Sequence, residues 1–258
     1  MPARTARARS FWSARKVAWY QRANARSDYA PRVLEAATGL LAESRTALDV
    51  GAGFGALALP LARRMVEVTA IEPARAMARA LQESAVREGL GNLVVLEAAW
   101  DEVVVVPRDV VVCAHVSNLL EPGSTFLPAI SAVARRGAII VRDVPGGQDK
   151  FFFGELFPLL LGRPYEHGCE ADGTVHALAA LGIRPTVTTI EYSSDQPFES
   201  LEEACDFWID YMELRGDDVR TFLRRFLGER LRREGRRWLA PFRKRAAVIQ
   251  WRTRGARG

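Results

Sequence analysis

From about residue 46 the chain alternates short β-branched runs with amphipathic stretches, and no other feature restricts its fold so tightly. "ALDV" (47–50), "EVTAIE" (67–72), "NLVVLEA" (92–98), "DVVVCAHV" (109–116) and "GAIIVRDV" (137–144) have strand character. Between the second and third lies "ARAMARALQESAVREGL" (74–90), whose apolar residues return at helical spacing before a Leu-Gly stop. Such alternation predicts right-handed βαβ units, hence an α/β fold with a mostly parallel sheet and helices on both faces. Two further runs, "RPTVTTIEY" (184–192) and "AAVIQWR" (246–252), bring the strands to seven.

Three segments stand outside this pattern. Residues 1–40 read as a helical N-terminal segment carrying Trp12, Trp19 and Tyr20, ahead of a main domain over 41–258. An insertion at about 145–168 contains "FFFGELFPLLLGRPY", too apolar for an idle loop. A second, at about 195–235, reads as a helical pair. Its first helix opens on the capping-box pattern Ser200-Leu-Glu-Glu203 and repeats Leu201, Ala204, Trp208, Tyr211 and Met212 on one face. Its second helix, about 217–233, carries Val219, Phe222, Leu223, Phe226 and Leu227. The aromatic content of the three segments predicts a lid over the sheet edge, as opposed to mere packing for stability.

The first strand runs into "TALDVGAGFGALALPLA" (46–62), with glycines at 51, 53 and 55 and an acid, Asp49, inside the strand. Glycine in regular structure costs about 0.5–1 kcal/mol relative to alanine, so such a cluster marks a sharp turn or a close approach. "GAGFGA" fits the dinucleotide pattern G-x-G-x-x-G/A, and taken alone a tight turn would also explain it. Three features point elsewhere. Asp49 would repel a pyrophosphate and welcome a cation. Glu72 closes the next strand, where an acid accepts bonds from ribose hydroxyls. "LEAAWDEV" sets Ala99 and Trp100 at the end of the third strand, where small and aromatic groups flank an adenine. A ribose, an adenine and a cationic amino-acid tail describe S-adenosylmethionine.

Over roughly residues 10–252 the chain resembles the class I S-adenosylmethionine-dependent methyltransferases. "LDVGAGFG" matches their first motif, "AIEP" the second, and "EAAW" and "DVVVCAHV" the later ones. The resemblance implies a seven-stranded sheet with an antiparallel last strand, and S-adenosylmethionine as cofactor with S-adenosylhomocysteine as product. It also implies cofactor contacts: Asp49, Gly51, Ala52 and Gly53 at the amino-acid part, Glu72 and Pro73 at the ribose, and Ala99 and Trp100 at the adenine. Ala114 and His115 would stand where the methyl group emerges, with Tyr20 reaching in from the N-terminal segment. Pro60 departs from the pattern, since proline inside a helix costs about 3 kcal/mol and predicts a kink.

The acceptor is less legible. His115, with a side chain suited to proton transfer at neutral pH, and Asp143, at the end of the fifth strand, are the candidate catalytic residues. A histidine that merely lines the cofactor pocket is the plainer reading of His115. Cys113 reads as core, and His167 and His176 as parts of the insertion and its following helix. Three scattered cysteines exclude a disulfide framework and offer no metal-ligand spacing, so no metal is expected and a cytoplasmic setting is. No run is long enough to cross a membrane. The arginine-rich start has a transit-peptide composition. Only Lys16, Lys150 and Lys244 are lysines, however, so the arginine excess is a bias of the whole sequence.

Charge keeps two acceptor classes open. The net +5 divides into +6 over residues 1–35, +12 over 220–258 and −13 between them. Basic ends suit RNA or another polyanion, or are simply a solvated face. Apolar, aromatic insertions suit a closed small-molecule pocket. The expectation is methyl transfer to a small molecule, with RNA or protein methylation, or S-adenosylmethionine binding without catalysis, as the alternatives.

Overall fold

The computed structural model describes residues 9–253 apart from 117–118, 121–123, 145, 147–148 and 166–169. His167 and Cys169 lie outside the described residues. Strands β1 (Thr46–Val50), β2 (Glu67–Ile71), β3 (Leu93–Leu96), β4 (Arg108–Ala114), β5 (Ala134–Asp143), β6 (Thr186–Ser193) and β10 (Arg243–Arg252) form one sheet. Its order is β3-β2-β1-β4-β5-β10-β6, and β10 runs antiparallel to both neighbours. The strand order thus reverses beside β1, where the chain crosses back from β3 to β4. That is where a doubly wound sheet opens a crevice at its carboxyl edge.

The alternation along each strand splits the core into two layers. Ala47, Val110, Val112, Ile139, Val141 and Val248 meet helix α2 (Tyr29–Ala36) on one face. Leu48, Val111, Cys113, Ile140 and Ile249 meet α6 (Phe126–Val133) and α8 (Glu170–Ala180) on the other. Cys113 is fully buried, as its reading as core requires.

Helix α4 (Ala58–Ala62) corrects the expectation of a proline kink. Pro60 stands in the first turn of this five-residue helix, where backbone N–H groups have no intrahelical partner, so nothing is lost. Helix α5 (Arg75–Arg87) follows β2 and stops earlier than the sequence suggests.

The three outlying segments share a second core. Helix α1 (Ala14–Asn24), α7 (Phe153–Leu161), α9 (Leu201–Met212) and α10 (Asp217–Arg230) bury Trp19, Phe153, Phe207, Trp208, Leu223 and Leu227 together. A small sheet of order β7-β9-β8, from Gln196–Phe198, Arg237–Ala240 and Arg232–Glu234, braces them. No alternating strand pattern in the sequence announces this sheet. Ser200 caps α9 by accepting the Glu203 N–H at 3.0 Å. The Glu203 carboxylate accepts from the Glu199 N–H at 2.7 Å and from the Trp19 indole at 3.0 Å, so the cap of α9 also holds α1.

Phe151 and Phe152 both lie in the left-handed region, at φ 61° and 59°. Bulky residues there cost on the order of 1–3 kcal/mol each. The bond from the Trp208 indole to the Phe151 carbonyl, 2.6 Å, and the surrounding aromatic rings hold them.

Candidate functional site

The glycine turn is built differently at each of its three glycines. Gly51, at φ +73°, packs so close to Val116 that a Cβ would come within 2.4 Å. Gly55, at φ +97°, faces Leu81 of α5 at the same distance, so it serves the packing of turn against helix. Gly53, at φ +57°, has nothing within 4 Å of where its Cβ would be. Its Cα faces open space at the sheet edge, the place where a ligand can approach the backbone.

The N–H groups of this turn are already taken: those of Gly51 and Ala52 donate to the Ile71 carbonyl, that of Gly55 to the Ala52 carbonyl, and that of Gly53 to a carboxylate. Glu72 accepts from Gly53 N at 2.8 Å and from Ala74 N at 2.8 Å, one bond to each oxygen. Asp49, pointing to the face it shares with Ala47, accepts from the N–H of Ala58 at the start of α4. A dinucleotide turn offers its N–H groups and helix N-terminus to a pyrophosphate. Here the turn's N–H groups are spent on carbonyls and on Glu72, and the helix start faces Asp49, which disfavours a phosphate and suits a cation.

Burial raises both acids. Asp49 is pushed from its ordinary 3.8 up to about 7, first by desolvation and then by the Glu72 charge. Glu72 is raised by desolvation, against the two backbone N–H groups that favour its ionised form. Two buried acids whose ionised forms are disfavoured are poised to accept a positive group beside them.

Around this pair stand the other expected residues. Ala99 is buried, and Trp100 begins a single helical turn and meets Phe126 edge-on at 5.4 Å. Ala114 ends β4, and His115 turns into the left-handed region at φ +56° while its N–H donates to the Val141 carbonyl. Its Nδ1 lies 3.4 Å from Oδ1 of Asp143 at the end of β5. The two candidate catalytic residues are therefore together. His176 is elsewhere, on α8, bonded to the Asp172 carbonyl.

Helix α1 crosses the same edge. Val17 packs on Ala74 and Met77, just beyond Glu72 and Pro73, with Trp12 and Phe54 alongside. Trp19 turns away into the second core, fully buried. The Tyr20 ring stacks on Tyr211 at 6.3 Å. It therefore faces the helical cap.

Sequence reasoning missed Tyr29. From α2 its ring lies 5.5 Å from His115 and 4.8 Å from Tyr192. No periodicity distinguishes it from its neighbours on that helix face.

A large groove, about 880 Å³, lies at the opposite end of the sheet, lined by Leu40, Ser131, Leu181 and Trp251 among others. Among the described residues no helix is long and apolar enough to cross a membrane.

Residues 47–137 match the family model of a methyltransferase domain. Among solved structures, a putative methyltransferase from Bacillus halodurans C-125 is 14% identical, with 83% of this chain and 97% of that one covered and a TM-score of 0.52. The magnesium protoporphyrin IX methyltransferase of Synechocystis PCC 6803, with S-adenosylhomocysteine bound, is 16% identical over 85% and 82% of the two chains, TM-score 0.49. The T. thermophilus 16S rRNA N2 G1207 methyltransferase is 29% identical over 43% and 33%, TM-score 0.37. No curated protein is found to match the sequence.

The strand order, the reversed last strand and the matched segment define the class I methyltransferase fold. Residues 47–137 form a methyltransferase domain, and the fold that carries them is that of the class I enzymes, whose cofactor is S-adenosylmethionine. The residues present fit that group, because the buried acid pair seeks a cation and Gly53 leaves its approach open.

Proposed function

We propose that the enzyme methylates a small-molecule acceptor in a site capped by the N-terminal helix and the two insertions. The observation that carries this reading is the position of α1. One side of it packs on Ala74 and Met77 beside Glu72, and the other merges into the aromatic core of the insertions. The acceptor must be held against the methyl group with water excluded, and this cap supplies walls that the strands lack.

When bound, S-adenosylmethionine supplies an electrophilic methyl group on a sulfonium. The backbone of Gly51, Ala52 and Gly53, with Asp49, would hold its amino-acid end. Glu72 keeps lone pairs free on both oxygens for the ribose, beside Pro73. Ala99 and Trp100 would border the adenine, and Ala114 the sulfonium. Tyr20 would shape the wall by holding α1 to the cap. Asp143 steadies the His115 imidazole, whose other nitrogen is left to take the acceptor's proton.

An RNA or protein acceptor held by the basic ends is the alternative, and the ion pairs weigh against it. Arg15 reaches Asp206 and Asp210, Arg22 reaches Glu203, and Arg220 and Arg224 reach Glu202. Arg230, Arg237 and Arg252 meet Glu155, Glu199 and Glu43. Each exposed pair is worth only about 0–1 kcal/mol, yet each occupies a cation that a phosphate would need.

Hydrogen exchange with and without S-adenosylhomocysteine tests the reading. Protection should rise over residues 14–24 and 150–161 as well as at 49–55, 72 and 98–100. A response confined to the last three, together with RNA retention that survives physiological salt, would transfer the assignment to a large docked acceptor.

A further inference from the structure

We propose that the acceptor is an amine, received as its ammonium ion by a cage of Tyr29, Tyr192, His115 and Asp143 at the carboxyl edge of β4 and β5. The proposal rests on the small-molecule reading above and names the chemistry of the same site.

Three rings meet there: Tyr29 lies between His115 at 5.5 Å and Tyr192 at 4.8 Å. Both phenols are buried, and the Tyr29 hydroxyl has no hydrogen-bond partner among the described residues. Leaving such a group unsatisfied is costly, which marks it as one awaiting a ligand. Its surroundings are anionic, since Asp49 and Asp143 both act on it and Asp143 acts on Tyr192 as well. Burial and these carboxylates hold both phenols protonated.

The cage opens on one side. The His115 and Asp143 side chains are 32% and 56% exposed, whereas Tyr29 and Tyr192 close the floor. Aromatic faces attract ammonium ions, and the Tyr29 oxygen has lone pairs to accept an ammonium N–H. An acceptor bearing a carboxylate or phosphate would instead meet Asp49, Glu72 and Asp143 together. An ammonium must lose a proton before its nitrogen is a nucleophile, and His115 stands at the mouth to receive it.

Calorimetry of the full chain decides the matter in two stages. S-Adenosylhomocysteine is titrated first into wild type, Tyr29→Phe and Asp143→Asn, and all three should bind it alike. Failure of the wild type to bind it would overturn the cofactor assignment itself. Ethylammonium chloride and sodium acetate are then titrated into each saturated protein. Ethylammonium should bind the wild type saturably and acetate should not. Asp143→Asn should weaken ethylammonium about tenfold and Tyr29→Phe several-fold, with Tyr29→Phe keeping the ring and its packing. Absence of ethylammonium binding, equal binding of acetate, or unchanged affinity in both variants would overturn the amine assignment while leaving the cofactor site intact.

Discussion

Replacing Asp49 with Asn keeps the shape of a buried side chain and removes its charge. The carboxyl titrates at about 7 in the folded protein against an ordinary 3.8, and it is fully buried. Carrying its ionised form therefore costs the free protein about 4 kcal/mol, at about 1.4 kcal/mol per tenfold change in proton affinity. The folded state keeps its proton up to about pH 7 while the unfolded chain releases it near 4. Stability from this group is thus complete below about pH 4 and is lost as pH rises to 7. Asparagine retains an oxygen for the Ala58 N–H, but its amide hydrogens need partners of their own, which takes back about half of the gain. The net effect at pH 8 is about 2 kcal/mol, a rise in Tm of about 4–8 °C for a chain of this size. At pH 5 the gain from removing the charge falls to about 1.6 kcal/mol, the amide cost cancels it, and the variant should be no more stable than wild type. Calorimetry should meanwhile show affinity for S-adenosylhomocysteine falling about tenfold or more, because its ammonium has lost a counter-charge. A variant no more stable than wild type at pH 8, or one that binds the product as before, would refute the idea that Asp49 trades stability for cofactor binding.

Gly53→Ala should fold with a loss of about 1 kcal/mol from its left-handed backbone and lose cofactor affinity, because the open space at its Cα is the ligand's. Gly55→Ala should instead lower Tm strongly, since its Cβ would meet Leu81 and Leu59; thermal melts beside product titration separate the two. Glu72→Ala strips the acceptor from two backbone N–H groups and should cost both stability and at least tenfold in product affinity, measured on one sample by melting and calorimetry. Glu203→Ala should speed amide exchange over residues 14–24 while β1 is unaffected, because Trp19 and Arg22 lose their shared partner.

What the sequence revealed follows from the range of the signals. Strands of four to ten residues with helices between them carry a local pattern, and all seven appear within a few residues of where "ALDV" through "AAVIQWR" place them. The acids of the cofactor edge are legible for the same reason, since Asp49 and Glu72 lie at fixed offsets from the glycines. Three-residue strands such as Arg232–Glu234 hold too few side chains to show alternation, and all three of that strand's residues are exposed. The hairpin turn at Gly235, φ +61°, is its one local mark. Pro60 predicts a kink only if turns of helix precede it, and the helix starts just two residues before it, where a proline is harmless. Tyr29 was invisible because its partners, His115 and Tyr192, are far off in sequence, and only the folded sheet brings them to one edge.

The long-range ties of helix α1 also set an order on the birth of the molecule. Its indole at Trp19 is held by Glu203, its Trp19 carbonyl by the Gln196 amide and its Arg15 by Asp210, all more than 170 residues downstream. On the ribosome, at about 5–20 residues per second, this helix therefore waits roughly ten seconds or more for its partners to emerge. The strands that carry the glycine turn can pair long before then. Helix α1 is thus seated only after α9 has emerged, well after the strands that carry the glycine turn.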